Sequence, residues 1–173
     1  MTGELGSQLA RSARTAGITP FRFASKAKAA EQAEVGVAVL LVRLGGRQYG
    51  LPLESVERVM PMAHVLSLPD AGDGLLGMLN IHGQVLPVVD AHSRLGLPTP
   101  KMLADHRLVL LRASVPFLLW VGDVEEVVIG DADALSPVPV QRGSALVSGV
   151  LRLGENIVPV LAPGALEPRG SLR

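Results

Sequence analysis

Apolar residues come in short bursts along this chain, broken every few positions by Gly, Pro or charged residues. That is the pattern of short strands rather than of helices. It predicts strands at Val37–Arg43, Arg47–Leu51, Val56–Met60, Gly77–Ile81 and Gln84–Val89. A second series follows at Arg107–Arg112, Phe117–Val121, Val124–Val128, Gly149–Leu153 and Asn156–Leu161. Gly45-Gly46 and His82-Gly83 fall between paired segments, where a tight hairpin needs positive φ. Helix is confined to a turn or two at Asp90–Leu95, with Asp90 as the N-cap, Gly96 at the far end and Pro98 beyond. Ten short strands at this spacing indicate small barrels or a sandwich.

The two series repeat one another. Gly77-Met-Leu-Asn-Ile-His-Gly-Gln-Val-Leu-Pro-Val-Val89 aligns with Gly149-Val-Leu-Arg-Leu-Gly-Glu-Asn-Ile-Val-Pro-Val-Leu161, keeping glycine, leucine, proline and valine in place. Val56-Glu-Arg-Val59 likewise matches Val124-Glu-Glu-Val127. A proline inside a strand cannot donate to its ladder and belongs at an edge or a bulge. The same exception in both copies, at Pro87 and Pro159, predicts two similar five-stranded lobes.

Composition narrows the function classes. The chain has 173 residues, 48% hydrophobic and 18% charged, which fits one compact domain or two small lobes sharing a core. Without cysteine there is no disulfide framework, thiolate metal site or cysteine nucleophile; this does not fix the compartment but sits easily with a reducing cytoplasm, the expected location. The longest apolar run, Val37–Val42, is far short of the roughly 20 residues of a membrane helix. Sixteen basic residues balance sixteen acidic ones. Arg11, Arg14, Arg22, Lys26 and Lys28 nevertheless crowd the start, so residues 1–34 read as a basic tail with too little apolar content to fold alone. The folded part is expected over 35–166, with 167–173 as a second tail. With one Trp, one Tyr and three Phe, and a folded part that is net acidic, the chain lacks the stacking platforms and basic groove of nucleic-acid-binding barrels.

Leu75-Leu-Gly-Met-Leu-Asn-Ile-His-Gly-Gln-Val-Leu-Pro-Val-Val-Asp90, continuing to Arg94-Leu-Gly-Leu-Pro98, resembles the chemotaxis coupling-protein (CheW-like) domain. Gly45–Met60, Leu118–Val128 and Ser144–Leu166 resemble it too, so the likeness spans about 37–166. It implies an all-β fold of two five-stranded SH3-like barrels around a shared apolar core, with one short helix. It further implies a non-catalytic, cofactor-free adaptor that joins methyl-accepting receptors to a CheA-type histidine kinase. A receptor's helical tip would lie in the groove between the lobes. By the same resemblance Val56, Arg58, Val59, Gly77 and His82 form the contact surface of the first lobe, and Gly149 marks the second. The glycines there would let backbones approach closely.

One position departs from the family. Arg usually precedes the turn glycine, and here it is His82. Neutral imidazole has neither the fixed charge nor the fork of donors of a guanidinium. His82 is then either a turn residue tolerant of positive φ or a changed contact. The second case suits a paralogue specialised for one partner, or for a motility system other than flagellar chemotaxis. Trp120 reads as core, Met60 and Met62 as accessible, and Glu57, Arg58, Glu125 and Glu126 as solvated charges. The rival class is a metal-dependent enzyme using His82, Asp90 and His92. None of the four histidines, however, makes a ligand pair at metalloprotease spacing, and no phosphate loop or nucleophile elbow occurs.

Overall fold

The computed structural model describes residues 36–72, 74–138 and 145–168. The basic tail assigned to 1–34 lies outside them, as does the end of the second tail after Pro168.

All ten expected strands are present, with ends moved by three residues at most. They are β1 (Gly36–Leu44), β2 (Arg47–Pro52), β3 (Val56–Pro61), β4 (Leu75–Ile81) and β5 (Gln84–Asp90). The second series is β6 (Arg107–Leu111), β7 (Phe117–Val121), β8 (Asp123–Asp131), β10 (Val147–Leu153) and β11 (Asn156–Leu161). Between the last three lies β9 (Leu135–Pro137), which apolar periodicity does not reveal. The expected helix is α1 (Ala91–Arg94), and a second single turn, α2 (Pro163–Leu166), comes after β11 as α1 comes after β5. Gly45 and Gly46 turn at φ +56° and +79°, and His82 and Gly83 at +50° and +88°, as the hairpin reading requires.

The strands form two sheets, ordered β3-β6-β7-β5-β4 and β8-β1-β2-β11-β10-β9. The second lobe therefore has six strands rather than five. Neither lobe is a continuous stretch of chain. Strands β1 and β2 belong to the six-stranded lobe, and β6 and β7 to the five-stranded one, so each half of the repeat lends its first hairpin to the other. The joins match across the repeat. β3 meets β6 and β8 meets β1, both antiparallel, while β5 meets β7 and β11 meets β2, both parallel.

Exchange on this scale leaves three apolar cores. One fills the first lobe around Leu86, Val88, Leu108, Leu118 and Trp120. Another fills the second around Val39, Leu41, Leu151, Val158 and Val160. The largest lies between them and takes Leu40, Val42, Leu51 and Leu161 from one sheet and Val89, Val109, Phe117 and Leu119 from the other. Strands β1, β5, β6, β7 and β11 thus bury both faces, which explains their near-continuous apolar runs.

Candidate functional site

The residues expected on the contact surface fall at three places. On β3, Val56 is buried in the shared core, Arg58 is exposed and Val59 is half-buried against that core. A bulge between Val56 and Arg58 in the ladder to β6 turns Arg58 outward. β3 is the edge of its sheet, and Pro61 at its end offers no N–H for a further strand.

The second place is the β4–β5 hairpin. His82 is exposed at its tip, and Asn80 Oδ1 accepts the Gly83 N–H at 2.8 Å, which fixes the turn. Five residues back, Gly77 is buried at a bulge, with φ +154°. A Cβ built there would stand 2.1 Å from the Leu66 carbonyl oxygen. The backbone that approaches Gly77 so closely is this chain's own, since Leu66 and Met78 exchange both N–H···O bonds at 2.9 Å.

The third place repeats the second in the other lobe. Gly149 is buried at the matching bulge of β10, and its Cβ would lie 2.9 Å from the Ser136 carbonyl oxygen of β9. Of the six residues, Arg58 and His82 are the exposed ones.

Surface features that the strand pattern did not single out complete these places. Val85 and Ile157 are 56% and 65% exposed, at equivalent positions on β5 and β11. Leu66, 64% exposed, lies opposite Met78 on the outer row of the first lobe. Strand alternation could not have found Val85 and Ile157, because the residues two and four positions on, on the same face, are buried or half-buried; what marks both is their place beside the hairpin turn. Glu125 is not a freely solvated charge. It accepts from Arg43 Nε at 2.8 Å and Gln48 Nε2 at 2.5 Å, tying β8 to β1 and β2.

A buried polar cluster stands behind the first lobe. Asp90 caps α1 as expected, its Oδ1 taking the His92 N–H at 2.9 Å. Two residues apart, Asp90 and His92 would share a face only in a continuing strand, and the capping turn ends that strand. The turn itself folds the His92 ring back onto the same oxygen, with Nδ1 at 3.0 Å. Thr99 donates to the other oxygen at 2.7 Å. Burial works against the Asp90 charge, but the bonds from His92 and Thr99 outweigh it and lower its pKa below the ordinary 3.8. The His92 ring lies 5.1 Å from that of Trp120, whose Nε1 donates to His106 Nδ1 at 3.1 Å.

This geometry separates the metal-site residues. Asp90 and His92 are buried in the interior, whereas His82 stands at the hairpin tip beyond the whole of β5, roughly 20 Å away at ~3.3 Å per strand residue. Among the described residues no three His, Cys, Asp or Glu side chains come together as a metal site. No described helix is long and apolar enough to cross a membrane.

Comparison with known proteins agrees with the fold. A curated relative, the "Probable chemotaxis protein CheW" of Rhizobium etli, is 25% identical over 103 residues, covering 58% of this chain and 66% of that protein. The "Chemotaxis protein CheW" of Rhizobium meliloti is 24% identical over 106 residues, covering 60% and 68%. The chain thus spans about two thirds of the length of these relatives. The crystal structure of scaffolding protein TtCheW from Thermoanaerobacter tengcongensis superposes with a TM-score of 0.71 at 22% identity, over 76% of this chain and 92% of that one. The model of the CheW-like domain matches residues 38–168, from β1 through α2, and the chain belongs to that family.

Proposed function

We propose that the protein is an adaptor of a bacterial chemosensory array, coupling methyl-accepting receptors to a CheA-type histidine kinase. The observation that carries this reading is the match of the CheW-like model to the whole described fold, both lobes included. Two lobes with separate exposed edges can engage two partners at once, one beside β3 and the β4–β5 hairpin and one at the second lobe or the groove between them. No step of this role needs a reacting group or a cofactor. The work is done by holding partners in register, in the cytoplasm where such arrays assemble.

The His82 departure favours a second reading, a paralogue specialised for one partner or for a non-flagellar motility pathway. The side chain is exposed and sits at φ +50°, so it serves the turn and also faces any partner that covers the tip.

Binding of the purified protein to the regulatory domain of the host's kinase and to a receptor signalling fragment tests both readings. Val59→Glu, which places a charge against the shared core at the β3 edge, should weaken kinase-domain binding at least tenfold. His82→Arg should tighten one partner if the tip is covered, by the ~1.5–3 kcal/mol of a charge-assisted hydrogen bond. Unchanged affinity for every partner in both variants, with melting temperatures preserved, would reject this surface.

A further inference from the structure

The two sheets exist only where the halves of the chain meet. Within the first half, β1 pairs with β2 and β4 with β5; within the second, β6 pairs with β7, and β10 with both β9 and β11. These are hairpins and one three-stranded ribbon. Every ladder that joins them into a sheet runs between halves. Val56–Pro61 pairs with Arg107–Leu111, Val88–Asp90 with Leu118–Trp120, Gly36–Arg43 with Asp123–Asp131, and Gly50 with Val160. The shared core also draws on both halves.

Only a short stretch decides which two halves combine. The connection from α1 to β6 is held at each end to its own half. On one side Leu97 N bonds to His92 O at 2.8 Å and Thr99 Oγ1 to Asp90. On the other, Leu103 and His106 bond to one another, and His106 accepts from Trp120 of β7. Between these anchors run Pro100, Lys101 and Met102, and none of the three makes a hydrogen bond among the described residues. Three residues reach about 10 Å when fully extended.

We propose that a second copy of this chain is a binding partner, and that Pro100–Met102 is the hinge at which two copies exchange halves. The first half of one copy docks on the second half of the other through the same four ladders, giving an intertwined dimer of two complete two-lobed bodies. No new surface is required, because the interface is the one that already holds the monomer together; the hinge alone opens. Among the described residues no hydrogen bond of Pro100, Lys101 or Met102 has to break for the hinge to open, and Pro100 has no N–H to lose. This inference is independent of the adaptor reading. It also gives an adaptor two copies of every contact surface on one particle.

The chain has no cysteine, so introduced ones report cleanly. Ala38 of β1 and Ile129 of β8 are direct ladder partners from different halves; Ile129 is exposed and Ala38 half-buried against the shared core. Ala38→Cys and Ile129→Cys are made in separate full-length chains. These are mixed, unfolded together in denaturant, refolded at high concentration and oxidised. The expected product is a dimer cross-linked between positions 38 and 129, formed after joint refolding and not after mixing the folded proteins. Deleting Pro100–Met102 should convert the folded chain to twice the monomer mass. Joint refolding that yields no 38–129 link overturns the proposal, as does a deletion variant that folds as a monomer. If the deletion variant does not fold, the cross-link alone decides.

Discussion

The β4–β5 hairpin of the first lobe and the β10–β11 hairpin of the second are one backbone design carrying two chemistries. Each has a buried glycine at a bulge, a proline opposite the next residue, an exposed aliphatic after the turn and a single helical turn beyond. Their neighbours differ. β4 receives one bridge, from Leu66, whereas β10 receives the three-residue strand β9. The helical turns beyond the hairpins also start differently. Asp90 caps α1 and gathers His92 and Thr99, whereas Ala162 at the same place before α2 has no side chain to cap with, and Pro163 starts that turn instead. Backbone constraints have been kept in both copies, and the polar interior has been built in one.

The largest effect should come from the glycines. Gly77→Ala drives a Cβ to 2.1 Å from the Leu66 carbonyl oxygen at a positive φ, and should cost more than ~3 kcal/mol or abolish folding. Gly149→Ala meets the Ser136 backbone carbonyl oxygen at 2.9 Å, so β9 must shift, but no positive φ adds to the cost. A loss of about 2 kcal/mol is expected there. Thermal melts of the two variants compare the copies directly, and equal losses would mean that the bridge at Leu66 is no tighter than β9.

An intermediate effect belongs to the capping carboxylate. Asp90 has a folded-state pKa below its unfolded value, so its contribution to stability is present above the unfolded pKa of about 3.8 and is lost as pH falls through the folded one. Asp90→Asn should cost ~1–3 kcal/mol at neutral pH. The gap to wild type should narrow as acid protonates the carboxyl in both folded and unfolded wild type. Chemical denaturation at neutral and strongly acidic pH measures this, and a constant gap would show that the carboxylate charge is not what matters.

The smallest effect on stability should come from the exposed aliphatics. Val85→Asp and Ile157→Asp should each change the melting free energy by no more than ~0.5 kcal/mol. Either one that nevertheless weakens binding of kinase domain or receptor fragment identifies the lobe that partner uses. If neither binding is altered, the hairpin arms lie outside the contact surfaces.

Strand positions were legible because alternation and turn chemistry are local properties. Leu135–Pro137 escaped because three residues ending in Ser-Pro carry no period, and their pairing is supplied by β10. The exchange of hairpins between lobes was invisible for a related reason. A pattern such as Phe117–Val121, apolar throughout, shows that both faces are covered but not by which strand. The repeat exposed Gly77 and Gly149 as equivalent and singular. It could not show that the backbone approaching each is internal, because Leu66 and Ser136 lie in segments with no marked pattern. His92 was set apart from Asp90 because the helix cap ends the strand on which the two could have shared a face; in the structure the same capping turn brings the ring onto the capping carboxylate.

The exchanged hairpins also fix the order in which the molecule can be built during synthesis. The first lobe needs nothing beyond Val121 and can close when β7 has emerged. The second has strands from both ends of the fold, with Gly36 paired to Asp131 and Gly50 to Val160. Its first hairpin, although made earliest, must therefore wait for almost the entire chain. Such distant pairings are slow to form and leave strand edges exposed in the interval. The nascent protein thus carries an open template in β1 and β2 until β8 and β11 arrive, and this is the period in which it most needs shelter from other chains.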